Sequence, residues 1–386
     1  MAAMFSQQDQ KFMQRALDLA KLGRWTTAPN PAVGCVIVKN DEIIGEGYHF
    51  KAGEAHAEVK AFQQCAERSQ YVEKQKSAVG ATLYVTLEPC AHVGKTPPCA
   101  LKIIESGVKR VVIAMRDPNP LVAGKGIELL QQAGIEVEVG LLESQAEALN
   151  QGFLKRMRTG RPFVQLKMAM TIDGKTATAS GESKWITGEA ARSDVQDYRA
   201  CADAILSASG TVLVDDPLLN VRWQQLPEAV QAQYPQQYLR QPIRVVMDSK
   251  HRIRPYHKLF EVQSAVWLVG SENKARDLSA FPYFVEAISL NSQQNQLLAL
   301  MDELGKRQIN TLWIEAGANL AGSLISANLV DELIVYIAPK LLGDQARGLC
   351  HMPDLHHLAD AREWKLSSYQ QVGEDFKMIY HPSKRD

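Results

Sequence analysis

An α/β fold in two consecutive domains is what this sequence predicts, the first built on a mixed sheet with helices on both faces. Three observations carry that prediction. Strand-type and helix-type segments alternate through the first part of the chain, with one early hairpin, and alternation of this kind implies a sheet covered by helices. The alternation starts again at Phe163 with apolar runs enough for a second core. Between the two lies the breaker run Gly160-Arg161-Pro162, in a chain of 386 residues that is too long for one average domain. The domains are taken as 1–150 and 151–386, with a helix over Glu143–Arg158 as the connector into that break.

Taken in order, Asp9–Leu22 has helical spacing, with Phe12, Ala16, Leu19 and Ala20 on one face. Ala32–Lys39 and Glu42–Gly47 read as strands around the turn pair Asn40-Asp41. His56–Ala66 is helical, Ala81–Thr86 a strand, Cys99–Glu105 a short helix and Arg110–Met115 a strand. Gly126–Ala133 and Ile135–Val139 form the next helix and strand. Glu143–Arg158 is amphipathic and ends in Lys155, Arg156 and Arg158, as suits a helix C-terminus. In the second part, Phe163–Met170 is a strand and Glu189–Cys201 a helix. Asp203–Leu206, Arg244–Met247, Val266–Val269 and Thr311–Ile314 are strand-like, Asn319–Ala327 helical and Glu332–Ala338 strand-like. Leu366–His381 reads as a hairpin turning at Gly373-Glu374.

Composition narrows the function classes. Lys+Arg 43 balances Asp+Glu 43, whereas a chain gripping nucleic acid by its backbone usually carries a basic excess. Six cysteines in a chain of this length do not read as a disulfide framework. Met1–Gln10 has neither a basic start nor an apolar run, and no apolar stretch is long enough to span a bilayer, so a cytoplasmic protein with no membrane and no nucleic-acid partner is expected.

The chemistry concentrates in His56-Ala57-Glu58, followed by Pro89-Cys90 and Cys99. One imidazole and two thiols make three ligands for Zn2+, the count that leaves a fourth position for water, whose pKa zinc lowers to about 7. Glu58 is placed to move protons: from water to a ring nitrogen, and later to a departing amine. Burial beside a bound anion would raise its pKa enough for both tasks. His56 and Cys99 are both expected at helix N-termini, where unpaired N–H groups favour a thiolate. This is the pattern of zinc-dependent base deaminases, except that eight residues rather than two separate the cysteines. The loop between them carries His92 and Lys95, which could meet a substrate phosphate or lie in solvent. The competing reading is a structural zinc closed by His92 or His49 as fourth ligand. Cys35 and Cys65 read as core thiols, and Cys201 and Cys350 carry no signal.

With that long loop, the first part resembles the bifunctional riboflavin-biosynthesis deaminase–reductases. The residues that carry the likeness are Asn30-Pro31-Ala32-Val33-Gly34-Cys35, Glu54-Ala55-His56-Ala57-Glu58, Thr86-Leu87-Glu88-Pro89-Cys90 and Arg116-Asp117-Pro118-Asn119-Pro120. The second part is similar to the reductase half of that family in Lys167–Lys175, Gly181–Thr187, Asp215-Asp216-Pro217 and Glu315-Ala316-Gly317. The resemblance implies a cytidine-deaminase-like first domain and a dihydrofolate-reductase-like second one. It implies zinc-dependent deamination of a ribosylamino-pyrimidinone phosphate, then NADPH-dependent reduction of its ribosyl chain, with a homo-oligomer as the expected assembly.

By the same resemblance, Ala169, Trp185, Thr211, Asp215, Ser249 and the run Gly317, Ala318, Asn319, Leu320, Ala321, Gly322, Ser323 would line the NADPH site. Ser183, Arg199, Leu219, Arg222 and Glu315 would face the substrate. Arginines suit a phosphate because guanidinium offers a fork of donors, although each could equally be a surface ion pair. Trp185 could be core, and Asp215 and Asp173 turn residues. Gly317–Ser323 could be an ordinary strand–turn–helix, and it is not the Gly-x-Gly-x-x-Gly fingerprint of a Rossmann domain. Two rivals stand beside this reading: a nucleic-acid or nucleoside base deaminase with an accessory reductase-like domain, and a zinc-stabilised binding module without catalysis.

Overall fold

The computed structural model describes residues 5–68, 77–91, 98–119, 123–272, 275–291 and 295–383. The chain forms two compact units, Met1–Gly160 and Arg161–Asp386, which part at the Gly160-Arg161-Pro162 break. His92 and Lys95 lie outside the described residues. No helix among the described residues is long and apolar enough to cross a membrane.

The first unit holds strands β1 (Gly34–Lys39), β2 (Glu42–Tyr48), β3 (Thr82–Val85), β4 (Arg110–Ile113) and β5 (Glu136–Val139) in the order β2-β1-β3-β4-β5. β1 is antiparallel to β2 and β3, whereas β3, β4 and β5 are parallel, so the sheet is mixed. Asn40 and Asp41 both take positive φ, 53° and 64°, in the two-residue turn between β1 and β2. The strands alternate strictly. Cys35, Ile37, Leu83, Val85, Val111 and Ile113 pack under α2 (Ala57–Arg68), α3 (Cys99–Ser106) and α4 (Lys125–Gln132). Val36, Val38, Tyr84 and Val112 pack on the other face, under α1 (Gln7–Lys21), α5 (Glu143–Leu149) and α6 (Gln151–Thr159).

The single connecting helix expected over Glu143–Arg158 is in fact two, α5 and α6, broken at Asn150. The cause lies far away in sequence. The Asn150 side chain accepts from the Ala32 N–H at 2.8 Å and donates to the Ala32 carbonyl at 2.9 Å, and its backbone leaves helical geometry to do so.

The second unit is a nine-stranded sheet with short additions. Its strands are β6 (Phe163–Thr171), β8 (Ala204–Ala208), β9 (Ile243–Met247), β10 (Val266–Ser271), β11 (Val285–Leu290), β12 (Thr311–Glu315), β13 (Glu332–Ala338), β15 (Trp364–Val372) and β16 (Asp375–Pro382); β7 (Lys175–Ala177) and β14 (Arg347–Gly348) pair separately. The order is β11-β10-β9-β8-β12-β6-β13-β16-β15, parallel except for the C-terminal hairpin. Helix α7 (Glu189–Cys201) covers one face; α10 (Gln296–Lys306) and α11 (Ala318–Ser326) cover the other. Two further helices, α8 (Ser209–Asp215) and α9 (Glu228–Gln231), lie between β8 and β9. The chain leaves β6, skips a position to β8, and later returns β12 into the gap. Such a reversal of strand order opens a crevice at the C-terminal strand ends.

Candidate active sites

The first site forms where a strand end meets two helix starts. Cys90 is the fifth residue after the end of β3; Cys99 is the first residue of α3, behind the cap Pro98. His56 precedes α2, and its carbonyl accepts the first helical bond from Lys60 N–H at 3.1 Å. His56 Nδ1 stands 3.3 Å from Cys99 Sγ and 3.8 Å from Cys90 Sγ, and all three ligand atoms lie within 4.8 Å of one another. The edges of a tetrahedron with Zn–S of about 2.3 Å and Zn–N of about 2.05 Å are about 3.5–3.8 Å long, so the nitrogen and both sulfurs fit one zinc ion. Two thiolates and one imidazole are also a donor set that zinc prefers over the harder cations.

The groups polarise one another. Hydrogen bonds from the Cys99 thiol, from His56 and from the backbone N–H of Cys99 at 3.3 Å outweigh burial and hold the Cys90 thiol well below its usual range. Cys99, sharing that proton and buried, is pushed up. The bond to Cys90 raises His56. Glu58, in the first turn of α2, is 4% exposed, and burial raises its carboxyl above the ordinary range.

Sequence reasoning gave Glu88 no role, and the structure supplies one. Its buried carboxylate accepts the backbone N–H groups of Asp117 and Gly124 at 3.2 and 3.1 Å, and of Gly126 and Ile127 at 3.1 and 3.4 Å. This fastens the start of α4 beneath Pro89-Cys90. A Cβ at Gly126 would stand 2.0 Å from the Pro89 carbonyl oxygen, so only glycine permits the approach. His49, named as a candidate fourth ligand, has both ring nitrogens engaged: Nδ1 with the Ala55 carbonyl at 3.2 Å and Nε2 with Asn30 Nδ2 at 3.1 Å. Its ring meets that of His56 edge-on at 5.2 Å, and burial lowers its pKa. Among the described residues, His56, Cys90 and Cys99 form the metal-binding group without it.

The second site lies along the C-terminal strand ends of the other unit. Ala169 is on β6, Thr211 and Asp215 on α8 directly after β8, Ser249 after β9, and Gly317 caps α11 directly after β12. Within the run 317–323, Ala321 and Gly322 are buried. A Cβ on Gly322 would strike the His351 carbonyl at 1.9 Å, so these two residues face the body of the unit and not the crevice. Helical bonding in α11 begins with Ala321 N–H to Gly317 O, which leaves the earlier N–H groups outside the helical ladder. Trp185 is 65% exposed with the Arg192 guanidinium 4.8 Å over its ring, so it is not core. Its segment is tied from two sides: Lys184 Nζ donates to the Asp215 carbonyl at 2.9 Å, and Lys340 Nζ to the Trp185 carbonyl at 2.8 Å. Ser183 on the same segment is half-buried.

Arg199 and Glu315 pair with each other. Arg199 Nε and Nη2 donate to the two carboxylate oxygens at 2.6 and 2.8 Å, and Nη1 to the Asn220 carbonyl at 2.9 Å. Burial opposes ionisation of Glu315, but the Arg199 charge and its hydrogen bonds, with Lys167 nearby, bring the carboxyl down to about 2. Lys167 is the register partner of Glu315 across β6 and β12 and was not singled out from sequence; burial lowers its pKa. Arg222 senses the charges of Arg199, Glu315 and Arg192, and among the described residues its guanidinium bonds only Gln225, through Nε at 2.5 Å. Leu219 is buried in the core with φ of 49°, so it can face a ligand only through its backbone.

A His/Cys/Cys metal-ligand set on one unit and a strand-end crevice on the largely parallel sheet of the other mark a two-part enzyme, and the family matches make its parts a deaminase and a reductase. Residues 6–115 match the family described as the cytidine and deoxycytidylate deaminase zinc-binding region, and residues 162–378 match the RibD C-terminal domain. The chain is 62% identical over 378 residues to the riboflavin biosynthesis protein RibD of Haemophilus influenzae, covering 98% of each, and 54% identical over 370 residues to that of Escherichia coli, covering 95% of this chain and 98% of the relative. Among solved structures, Acinetobacter baumannii RibD matches with a TM-score of 0.88 at 45% identity, covering 98% of this chain and 99% of that one. A deaminase/reductase from Thermotoga maritima matches at 0.84 and 34%, covering 97% and 99%. The chain belongs to the RibD family, the bifunctional deaminase/reductases of riboflavin biosynthesis, with a cytidine-deaminase-like first unit and a dihydrofolate-reductase-like second unit.

Proposed function

We propose that the first unit hydrolytically removes an amine from 2,5-diamino-6-ribosylamino-4(3H)-pyrimidinone 5′-phosphate, and that the second reduces the ribosyl chain of the product with NADPH to give 5-amino-6-(ribitylamino)uracil 5′-phosphate. The observation that carries this reading is the convergence of His56, Cys90 and Cys99 beside buried Glu58, in a chain that matches RibD proteins over nearly its full length. The Thermotoga maritima relative is itself named as a deaminase and reductase acting on these two kinds of pyrimidine.

His56, Cys90 and Cys99 would hold zinc, which when bound supplies the Lewis acidity that lets water attack near neutral pH. Glu58 takes one proton from the attacking water and hands it to the ring nitrogen beside the carbon under attack, then takes the second proton from the hydroxyl added to that carbon and delivers it to the departing amine, so that the carbonyl forms, water is consumed and ammonia is released. Burial of Glu58 suits it to hold a proton between these steps. NADPH, when bound, supplies the hydride for the ribosyl chain. Ala169, Trp185, Thr211, Asp215, Ser249 and the start of α11 would hold it along the strand ends, with the N–H groups of Ala318, Asn319 and Leu320 toward its phosphates. Arg222 would meet the substrate phosphate, while Arg199, Glu315, Ser183 and the Leu219 backbone orient the rest of the substrate.

A cytoplasmic location suits two thiols that must stay reduced. Homo-oligomerisation would be served by the apolar groove of about 330 Å³ in which Ile172, Ile337, Tyr369 and Phe376 meet; analytical ultracentrifugation reads it directly.

The test is to incubate purified protein with the diaminopyrimidinone phosphate and NADPH, following ammonia release and NADPH oxidation separately, with and without a chelator. Chelation is expected to stop ammonia release and, with it, NADPH oxidation from this substrate, while reduction of pre-deaminated substrate continues. Ammonia release from a nucleic-acid base, and none from the free pyrimidine, would replace this reading.

A further inference from the structure

Arg199 and Glu315 form a bidentate charged pair in the second unit, and neither is fixed by its partner alone. Glu315 Oε1 accepts two donors, Arg199 Nε at 2.6 Å and the indole Nε1–H of Trp313 at 2.9 Å. Trp313 and Glu315 are two apart on β12, so both project from the same face of the strand, toward α7. Trp313 is fully buried, and its ring stacks on Tyr198 with centroids 4.7 Å apart and planes 15° from parallel. Tyr198 immediately precedes Arg199 on α7. The ammonium of Lys377 lies 5.2 Å from the Tyr198 ring centroid and pairs with Asp194 at 2.7 Å, and Asp194 also accepts from Tyr336 OH at 2.5 Å. A buried aromatic stack is thereby locked to α7 on one side and to the C-terminal hairpin on the other.

We propose that Trp313, held by Tyr198, is a positioning residue for the reductase reaction: its N–H fixes the plane of the Glu315 carboxylate, and that plane fixes the edge of Arg199 offered to the substrate. The inference rests on the reading that Arg199 and Glu315 line the substrate site. A carboxylate with one bidentate partner can still rotate about its terminal torsion, which is broad and soft. A third donor on Oε1 from a rigid indole removes that freedom. Tryptophan suits the task because it donates without accepting and presents a large flat surface to be clamped. The Arg199 and Glu315 side chains remain 10% and 16% exposed, so the pair opens toward ligand while Trp313 stays sealed behind it.

Trp313→Phe keeps an aromatic ring for the stack and deletes the donor. It is expected to raise KM for the pyrimidine phosphate in the reduction about tenfold, the size of one hydrogen bond to a charged group, with kcat changed little. Calorimetric Kd for NADPH is expected to stay as in the parent protein, which also reports that the second unit is folded. Tyr198→Leu keeps the N–H but removes its platform, and is expected to move KM the same way by less, so the proposal survives a failure of the first variant to fold. A Trp313→Phe protein with parental KM, beside a Glu315→Gln protein whose KM has risen, would overturn the positioning role and leave the substrate site standing. Parental KM in Glu315→Gln and Arg199→Lys would instead remove the substrate-site reading, and the proposal with it.

Discussion

The two sites of this protein solve the problem of precision in opposite ways. In the first unit the reactive groups sit at or next to the first turns of α2 and α3 and just past the end of β3, and three of them, His56, Glu58 and Cys99, ride directly on helix starts. Backbone position aims them, with the Glu88 carboxylate fastening the segment beneath Cys90. In the second unit the candidate residues are strewn from Ala169 to Ser323, and long side chains must be held by other side chains, as Glu315 is by Arg199 and Trp313. The first arrangement concentrates function in a few residues whose loss is catastrophic. The second distributes it, so that single losses weaken without abolishing.

The sharpest way to break this comparison is Glu58→Gln. It keeps shape and hydrogen bonding but cannot carry the proton, and deamination is expected to fall about a thousandfold or more. Zinc content by atomic absorption and the rate of reduction are expected to stay unchanged. Arg222→Glu probes the other side: ammonia release is kept, and KM for the reduction rises roughly thirtyfold, near 2 kcal/mol for a charge-assisted contact. Loss of both activities in either variant would show that the sites are not independent.

Glu88→Gln sharpens the comparison within the first unit. It places an amide N–H2 against backbone N–H groups that now converge on a carboxylate, and so loosens Cys90. Zinc affinity, read by competition with a chromogenic chelator, is expected to weaken about tenfold to a hundredfold, as for other groups that orient metal ligands. The smallest effect concerns acid. Glu315 is held at about 2 against an ordinary 4.5. The folded chain therefore binds fewer protons than the unfolded one at mildly acidic pH. Its stabilising contribution is complete above about pH 5 and is lost as pH falls toward about 2. The urea midpoints of the parent and Glu315→Gln proteins are expected to differ at neutral pH and to converge in acid.

The contrast also explains what could be read in the sequence. His56, Glu58, Cys90 and Cys99 were legible because their chemistry follows from residue type and order, and because the short apolar runs of β1, β3 and β4, alternating with helical segments, revealed the sheet behind them. The residues of the second site came only through resemblance, since nothing in Thr211 or Ser249 as residue types announces a ligand. Glu88, Asn150 and Trp313 escaped for a common reason: each acts on a partner that the fold, not the local pattern, brings near. Helix α10 was missed although its signals were present, with Asn295 accepting from Leu297 and Leu298 N–H, and Leu297, Leu300, Met301 and Leu304 at helical spacing. The short β7 and β14 ladder, by contrast, has two or three residues to a strand and no alternation to detect.

The tie between Asn150 and Ala32 sets a rule for anyone who would cut the chain. A fragment ending at residue 149 strands the amide and carbonyl of Ala32 in a dry interior, where each lost partner costs about 1–3 kcal/mol. It also strips away Phe153 and Leu154, which plug the α1 side of the sheet. Carried on to Gly160, whose φ of 75° closes the last helix, the excised piece keeps both the Asn150 tie and these two side chains.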